Sequence, residues 1–233
     1  TSQTANPSHT YAEPGTYSVQ LTVTTAAGSQ TTTRTGYVTV RPVPSFSASV
    51  TTGGAPQTVT FTDTTDVGSL TVTGRLWNFG DGTTSESINP IHAYSTPGNY
   101  DVTLTLTTAQ GAVQTLRDDY IQISPTVAYT VDTASGAAPL TVQFTDATNA
   151  GSLTISGYSW DFGDGTDPST DTNPSHTYAA AGTYDVRLTV TTEQGNKTLT
   201  DEDAITVTAK SLPLAAGTDA AFPVLLLDTT DYG

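Results

Sequence analysis

The chain repeats itself with a period of 83 to 84 residues, and this limits what it can fold into more than any other feature. The hexad Asn-Pro-x-His-x-Tyr occurs at 6–11, 89–94 and 173–178, which spaces His9, His92 and His176 by 83 and 84 positions. Four residues after each closing Tyr stands a Gly (Gly15, Gly98, Gly182), and two further on another Tyr (Tyr17, Tyr100, Tyr184). Each of these opens a strict alternation: Tyr17-Val19-Leu21-Val23, Tyr100-Val102-Leu104-Leu106 and Tyr184-Val186-Leu188-Val190. Thr, Gln, Asp, Arg and Ser fill the intervening places. Period two with β-branched Thr on the wet side predicts a half-buried antiparallel strand. The strand runs into a Gly turn at 24–28, 107–111 and 191–195, and a return strand follows.

The other part of the unit also recurs. Ala55–Asp63 matches Ala138–Asp146, and Trp77-Asn78-Phe79-Gly80-Asp81-Gly82 matches Trp160-Asp161-Phe162-Gly163-Asp164-Gly165. Trp77 and Phe79, like Trp160 and Phe162, sit two apart, so both members of a pair can point into one core. No segment carries a helical period. Short strands separated by turn signals predict an all-β chain of tandem immunoglobulin-like sandwiches, one per repeat.

Three motifs in a fixed order, the Trp-x-Phe-Gly-Asp-Gly turn, Asn-Pro-x-His-x-Tyr and Gly-x-Tyr-x-Val-x-Leu, resemble the PKD (polycystic kidney disease) domain over nearly the whole chain. The resemblance implies an immunoglobulin-like fold with Trp77 and Trp160 in the core. It also implies the settings in which that family occurs: surface layers, adhesins, secreted proteases and chitinases, and animal polycystins. Fold follows from such a resemblance, and function only as a class.

The frame of the repeats divides the chain into the back half of a unit at 1–42, whole units at 43–125 and 126–209, and the front half of a further unit at 210–233. Val224–Gly233 follows the pattern of Val59–Gly68. In this reading Tyr17, Val19, Leu21 and Val23 lack an opposing sheet, and Val224, Leu225, Leu226 and Leu227 form a bare apolar strand. Strands of this kind pair with other chains. Two expectations stay open. Either the sequence is a window on a longer covalent array, or the front half of one chain completes the back half of the next and builds a head-to-tail filament. The absence of Met likewise predicts a processed chain or an internal stretch.

Composition narrows the chemistry. Seven Lys and Arg stand against 22 Asp and Glu, a net charge of −15, which repels nucleic acid and anionic lipid. No apolar run is long enough to insert in a membrane. No Cys is present, which removes disulfides and thiolate metal sites. There is no Gly-x-Ser-x-Gly elbow and no Gly-Lys-Ser/Thr phosphate loop, so no enzyme activity is expected. The three His fall in different repeats and cannot share a metal; each reads as hydrogen-bonded within its own turn. The ligand candidates are Asp63, Asp66 and Asp81 in one repeat and Asp146, Asp161 and Asp164 in the next, for which calcium is the cofactor to test. The competing reading is that each Asp caps its own turn. Asn196-Lys197-Thr198 is the one N-glycosylation sequon.

The leading functional expectation is therefore a non-catalytic extracellular or cell-surface structural protein, with copies of itself or neighbouring repeats as partners. The alternatives are a polysaccharide- or protein-binding accessory module of a secreted hydrolase, for which Tyr129, Tyr158 and Tyr232 are the candidate surface aromatics, and a cell adhesin.

Overall fold

The structure, a computed structural model, describes residues 1–210. The first repeat is a two-stranded antiparallel hairpin, β1 (Gly15–Thr25) and β2 (Gly28–Val40). The second contains β3 (Phe46–Ala48), β4 (Thr52–Gly54), β5 (Gln57–Asp63), β6 (Val72–Asn78), β7 (Thr84–Ser85), β8 (Ile91–Tyr94), β9 (Gly98–Thr108) and β10 (Gly111–Ser124). The third contains β11 (Tyr129–Val131), β12 (Ser135–Ala137), β13 (Leu140–Asp146), β14 (Ile155–Asp161), β15 (Ser175–Tyr178), β16 (Gly182–Thr192) and β17 (Gly195–Thr208).

The second repeat packs a three-stranded sheet, β3-β5-β8, on a five-stranded sheet, β4-β10-β9-β6-β7. The third repeats this as β11-β13-β15 and β12-β17-β16-β14. Pairings are antiparallel except β4 with β10 and β12 with β17, which are parallel. This is the two-layer immunoglobulin-like sandwich that the alternation predicts.

Each sandwich has its own core. Trp77, Phe46, Phe61, Tyr94, Leu104 and Ile121 are fully buried in one, and Trp160, Phe144, Tyr178, Leu188 and Ile205 in the other. Phe79 and Phe162 are buried beside them. The indole N–H groups are satisfied inside their own repeats: Trp77 Nε1 donates to the Ser87 carbonyl at 3.0 Å and Trp160 Nε1 to that of Asp171 at 2.9 Å. A buried Trp needs such an acceptor to avoid a desolvation penalty.

The long hairpins carry one bulge each. The registers of β1/β2, β9/β10 and β16/β17 shift at matching places, beside Gly36, Asp119 and Asp203, whose φ angles are 61°, 46° and 55°. The extra residue bends the strand and lets the hairpin follow the sandwich.

Candidate functional site

The paired sequence motifs turn out to hold one another. The Asn89 side-chain carbonyl accepts from the Asp63 amide at 2.9 Å, and Asn173 from that of Asp146 at 2.8 Å. His92 lies flat on Phe79, with ring centroids 4.2 Å apart and planes at 2°, and bonds the Asp81 carboxylate through Nε2 at 2.7 Å. His176 does the same on Phe162 and Asp164, at 4.0 Å and 2.8 Å. Tyr94 and Tyr178 donate to the carbonyls of Phe79 and Phe162 at 3.0 and 3.2 Å. Tyr100 donates to Thr96, four residues back, at 2.6 Å, a tyrosine corner. The His-x-Tyr strand thus clamps the Gly-Asp-Gly turn across the open edge of the sandwich. His9 in the first hairpin packs edge-on against Tyr11.

The aspartates named as ligands do not come together. Asp81 accepts from the Thr83 amide and hydroxyl at 3.0 and 2.6 Å as well as from His92. Asp164 is matched to Thr166 and His176 in the same way. Asp63 takes the Thr65 hydroxyl at 2.6 Å and Arg75 Nε at 2.9 Å, while Asp66 accepts from the Gly68 amide at 2.9 Å. Asp146 takes the Thr148 amide and the Tyr158 hydroxyl, and Asp161 the Gly163 amide. Each carboxylate thus serves its own turn or a neighbouring side chain. Among the described residues no three His, Asp or Glu side chains are grouped to hold a metal ion.

Hydrogen bonding also tunes these groups. Burial raises the Asp63, Asp81 and Asp164 carboxyls, but the Thr hydroxyls together with Arg75, His92 or His176 outweigh it and leave all three below the ordinary carboxylate value. Burial, then the bond to Asp146, pushes Tyr158 up to about 12. Tyr129 is half-buried and donates to Asp201 at 3.0 Å, so neither Tyr is a free aromatic platform. Asn196 is exposed at the start of β17, and its side-chain carbonyl accepts from Thr191 at 2.9 Å.

The first hairpin has an open apolar face. Val19, Leu21 and Val23 are 38%, 59% and 52% exposed, whereas their counterparts Val102, Leu104 and Leu106 are fully buried. Tyr37, also exposed, lies beside them under the Arg34 guanidinium. Tyr17 is half-buried and donates to the Glu13 carbonyl. Val224, Leu225, Leu226 and Leu227 lie outside the described residues.

The joints between repeats are the feature that reading the sequence missed. In each, the turn before one repeat's long hairpin meets a Gly-Ser-Leu turn of the next. The Ser69 amide donates to the Pro14 carbonyl at 3.2 Å, and the Ser152 amide to that of Pro97 at 3.1 Å. Gly68 and Gly151 have φ of +53° and +60°, and a Cβ at either would collide with that same carbonyl. The hairpin tip of the later repeat then reaches back. Gln110 Nε2 lies 3.4 Å from Thr16 Oγ1. Gln194 Nε2 lies 2.7 Å from Asn99 Oδ1 and 3.3 Å from each of the Gly98 and Ile123 carbonyls. Pro42 and Pro125, in the connections, are buried. The signal was present in the sequence, as Gly-Ser-Leu at 68–70 and 151–153 and Gln at 110 and 194, but nothing in one sequence marks a turn as facing another domain.

Short stretches match curated proteins: 36 residues at 56% identity to collagenase ColA of Bacillus cereus, and 40 residues at 45% to a microbial collagenase of Vibrio alginolyticus. These are 16% and 17% of this chain but only 4% and 5% of those proteins. Among solved structures, the PKD1 domain of Vibrio anguillarum Epp matches at 30% identity over 36% of this chain and 96% of its own, with a TM-score of 0.31. The PKD1 domain of the Vibrio cholerae metalloprotease PrtV matches at 28% identity over 36% and 98%, also at 0.31. The family model for the PKD domain matches residues 1–40, 39–123 and 124–207, so the chain belongs to the PKD domain family, present here as tandem repeats.

Proposed function

We propose that this chain is a stretch of a non-catalytic extracellular structural protein, a stalk, surface layer or filament, in which PKD repeats are held in line at a fixed orientation. The observation that carries this reading is the joint. The same Gly-Ser turn docks on the same backbone carbonyl at both boundaries, and a Gln side chain secures each from the other side. A backbone-to-backbone contact at a tightly packed glycine, repeated at both boundaries, supports restricted rotation of one repeat on the next, where free relative motion would otherwise be the default. Small-angle X-ray scattering of the whole chain is the test. A rod of constant cross-section supports the reading, and the profile of repeats moving independently defeats it.

In the polymeric form of this proposal, the open hairpin face at Tyr17, Val19, Leu21 and Val23 is covered by a front half-repeat from another copy. Concentration-dependent growth in size of the 1–233 chain, lost when Leu21→Asp puts a charge on the open face, is the outcome expected. A native mass of many repeats assigns that cover to the same chain instead.

The stretches similar to collagenases favour a second reading, a spacer or binding module beside a hydrolase domain. Retention of the chain on collagen fibrils or a polysaccharide column supports it, and passage through both favours the structural role.

A further inference from the structure

We propose that the two joints differ in stiffness: the second and third repeats move as one rigid body, and the chain bends at the first joint, where Ser69 meets Pro14. This rests on the structural reading above and deepens it by naming where the rod gives.

The second joint is braced on several sides. The Ser152 amide donates to the Pro97 carbonyl at 3.1 Å, and the Ser152 hydroxyl reaches the same oxygen at 3.5 Å. Gln194 Nε2 is shared among Asn99 Oδ1 at 2.7 Å and the Gly98 and Ile123 carbonyls, each at 3.3 Å. Beside it, the Glu193 carboxylate accepts from the Thr154 amide at 3.0 Å. That bond ties the hairpin tip to the Gly-Ser-Leu turn, so the two parts of the third repeat that touch the second are held to each other. The connection is anchored too: Thr126 and Asn149 exchange backbone hydrogen bonds, both at 3.0 Å.

The first joint keeps the docking bond and little else. The Ser69 amide donates to the Pro14 carbonyl at 3.2 Å. Among the described residues Gln110 has one acceptor across the boundary, Thr16 Oγ1 at 3.4 Å, long for a hydrogen bond. Thr16 stands where the second joint has Asn99, and Ala109 where it has Glu193, so no carboxylate is there to take the Thr71 amide. Val43 stands where it has Thr126, is 78% exposed, and makes no backbone bond to Asp66, the counterpart of Asn149. The room left by the smaller side chains is an open cleft of about 320 Å³, walled from one repeat by Thr16 and from the other by Ser69, Leu70, Thr71, Ala109 and Gln110.

These differences decide which joint opens first. Relative motion is the default for linked domains unless contacts stop it, and each net hydrogen bond adds a modest amount, so the joint with fewer of them yields. A swing at the first joint breaks one long Gln110 contact and closes into an existing cleft. A swing at the second has to strip Gln194 of three acceptors and push against side chains that fill the same space. The pivot is also marked. The Thr115 hydroxyl donates to the Pro44 carbonyl at 2.6 Å and holds Pro44 to the second repeat, which leaves the turn to fall at Val43, between the buried Pro42 and Pro44.

Amide hydrogen exchange in the whole chain, read by NMR at a single pH and corrected for intrinsic rates, reports the opening of each joint at its docking serine. The Ser69 amide is expected to exchange about tenfold faster than the Ser152 amide, or more, while the ladder amides of β1 and β2 stay better protected than Ser69. Thr16→Asn with Ala109→Glu, both at exposed positions, copies the groups of the second joint into the first and should close most of that gap. Equal and strong protection at the two serines overturns the hinge and leaves the rod standing. Exchange of both at the free-peptide rate overturns the rod, and the hinge with it. Exchange of the β1 and β2 ladder amides in step with Ser69 would mean that the hairpin melts rather than swings, and a gap that the double substitution leaves unchanged would mean that these contacts do not set the stiffness; either result overturns the proposal.

Discussion

The Asp101 carboxylate accepts a hydrogen bond from the backbone amide of Asp119 at 2.7 Å, across the bulge of the long hairpin. Asp119 has φ of 46°, a region that costs most side chains energy but that Asp tolerates. The same pair recurs as Asp185 with Asp203 at 2.8 Å, and in the first hairpin as Ser18 with Gly36 at 3.1 Å. The acceptor side chain thus supplies what the bulge takes from the ladder. Asp101→Ala should destabilise the second repeat by about 1 kcal/mol, and Asp101→Asn, which keeps an acceptor oxygen, by less. Asp119→Gly should be near neutral, as Gly36 already illustrates, whereas Asp119→Val should cost about 1–2 kcal/mol. The denaturant midpoint, followed through the Trp77 indole resonance so that only this repeat is read, separates these outcomes.

The two glycines of the Gly-Asp-Gly turn are not equivalent. Gly80 and Gly82 have φ of +84° and +89°, so either resists a side chain. A Cβ at Gly80 would also meet the Asp101 carbonyl oxygen at 2.5 Å, whereas one at Gly82 would meet nothing within 4 Å. Gly82→Ala should cost only backbone strain, about 1–2 kcal/mol. Gly80→Ala must displace the neighbouring strand as well and should cost about 3 kcal/mol or more. Thermal unfolding of the two variants checks the order, and equal losses would mean that strand β9 gives way freely.

The sandwich was legible because both of its physical signals are local. Alternation at Tyr100-Val102-Leu104-Leu106 marks a strand with one dry face, and the recurrence of Trp77 and Phe79 at Trp160 and Phe162 marks the core. The link between the motifs was not legible, since a His that stacks on Phe79 and bonds Asp81 looks, in sequence, like a His in its own turn. The Asp residues left two readings open in sequence, calcium ligand or turn cap, for a related reason. Asp63, Asp66 and Asp81 have the composition of a calcium site, but their oxygens are taken by Thr65, Arg75, the Gly68 amide, Thr83 and His92. Only three-dimensional placement shows that. The joints escaped because Gly68 and Ser69 have the residue types of any turn. Their meaning lies in the Pro14 carbonyl on another domain.

The Asp–His clamp predicts a loss of stability in acid. Burial alone would raise Asp81, but the Thr83 hydroxyl and amide and then His92 hold its folded value below the ordinary one, and Asp164 behaves likewise. A carboxyl lowered on folding adds stability that is fully present above its unfolded pKa, about 3.9. That contribution is lost as pH falls through the folded value. Unfolding midpoints should therefore hold level down to about pH 4 from these groups and drop below it. Asp81→Asn and Asp164→Asn together should lower the plateau and flatten the drop. An unchanged drop in the double variant would assign acid sensitivity to other carboxyls, Asp63 first.

The joint between the first two repeats should respond to pH in the opposite sense from the clamp. Glu13, next to the acceptor Pro14, faces Asp66, two residues before the docking Gly68. Its carboxyl is raised above the ordinary value, first by the side-chain hydrogen bond to Asp66 and then by repulsion between the two charges. A carboxyl raised in the docked state favours docking when protonated, so the contribution is present at low pH and lost as pH rises through that raised value. The second joint has Thr96 and Asn149 at these places and carries no such pair. As pH falls through that raised value, the Ser69 amide should exchange more slowly, after correction for the intrinsic pH dependence, while the Ser152 amide should not change. Glu13→Gln should make the two joints behave alike, and Asp66→Asn should do the same while keeping the oxygen that accepts from the Gly68 amide. A Ser69 amide that follows Ser152 at every pH in the unmodified chain would show that the carboxyl pair has no hold on the joint.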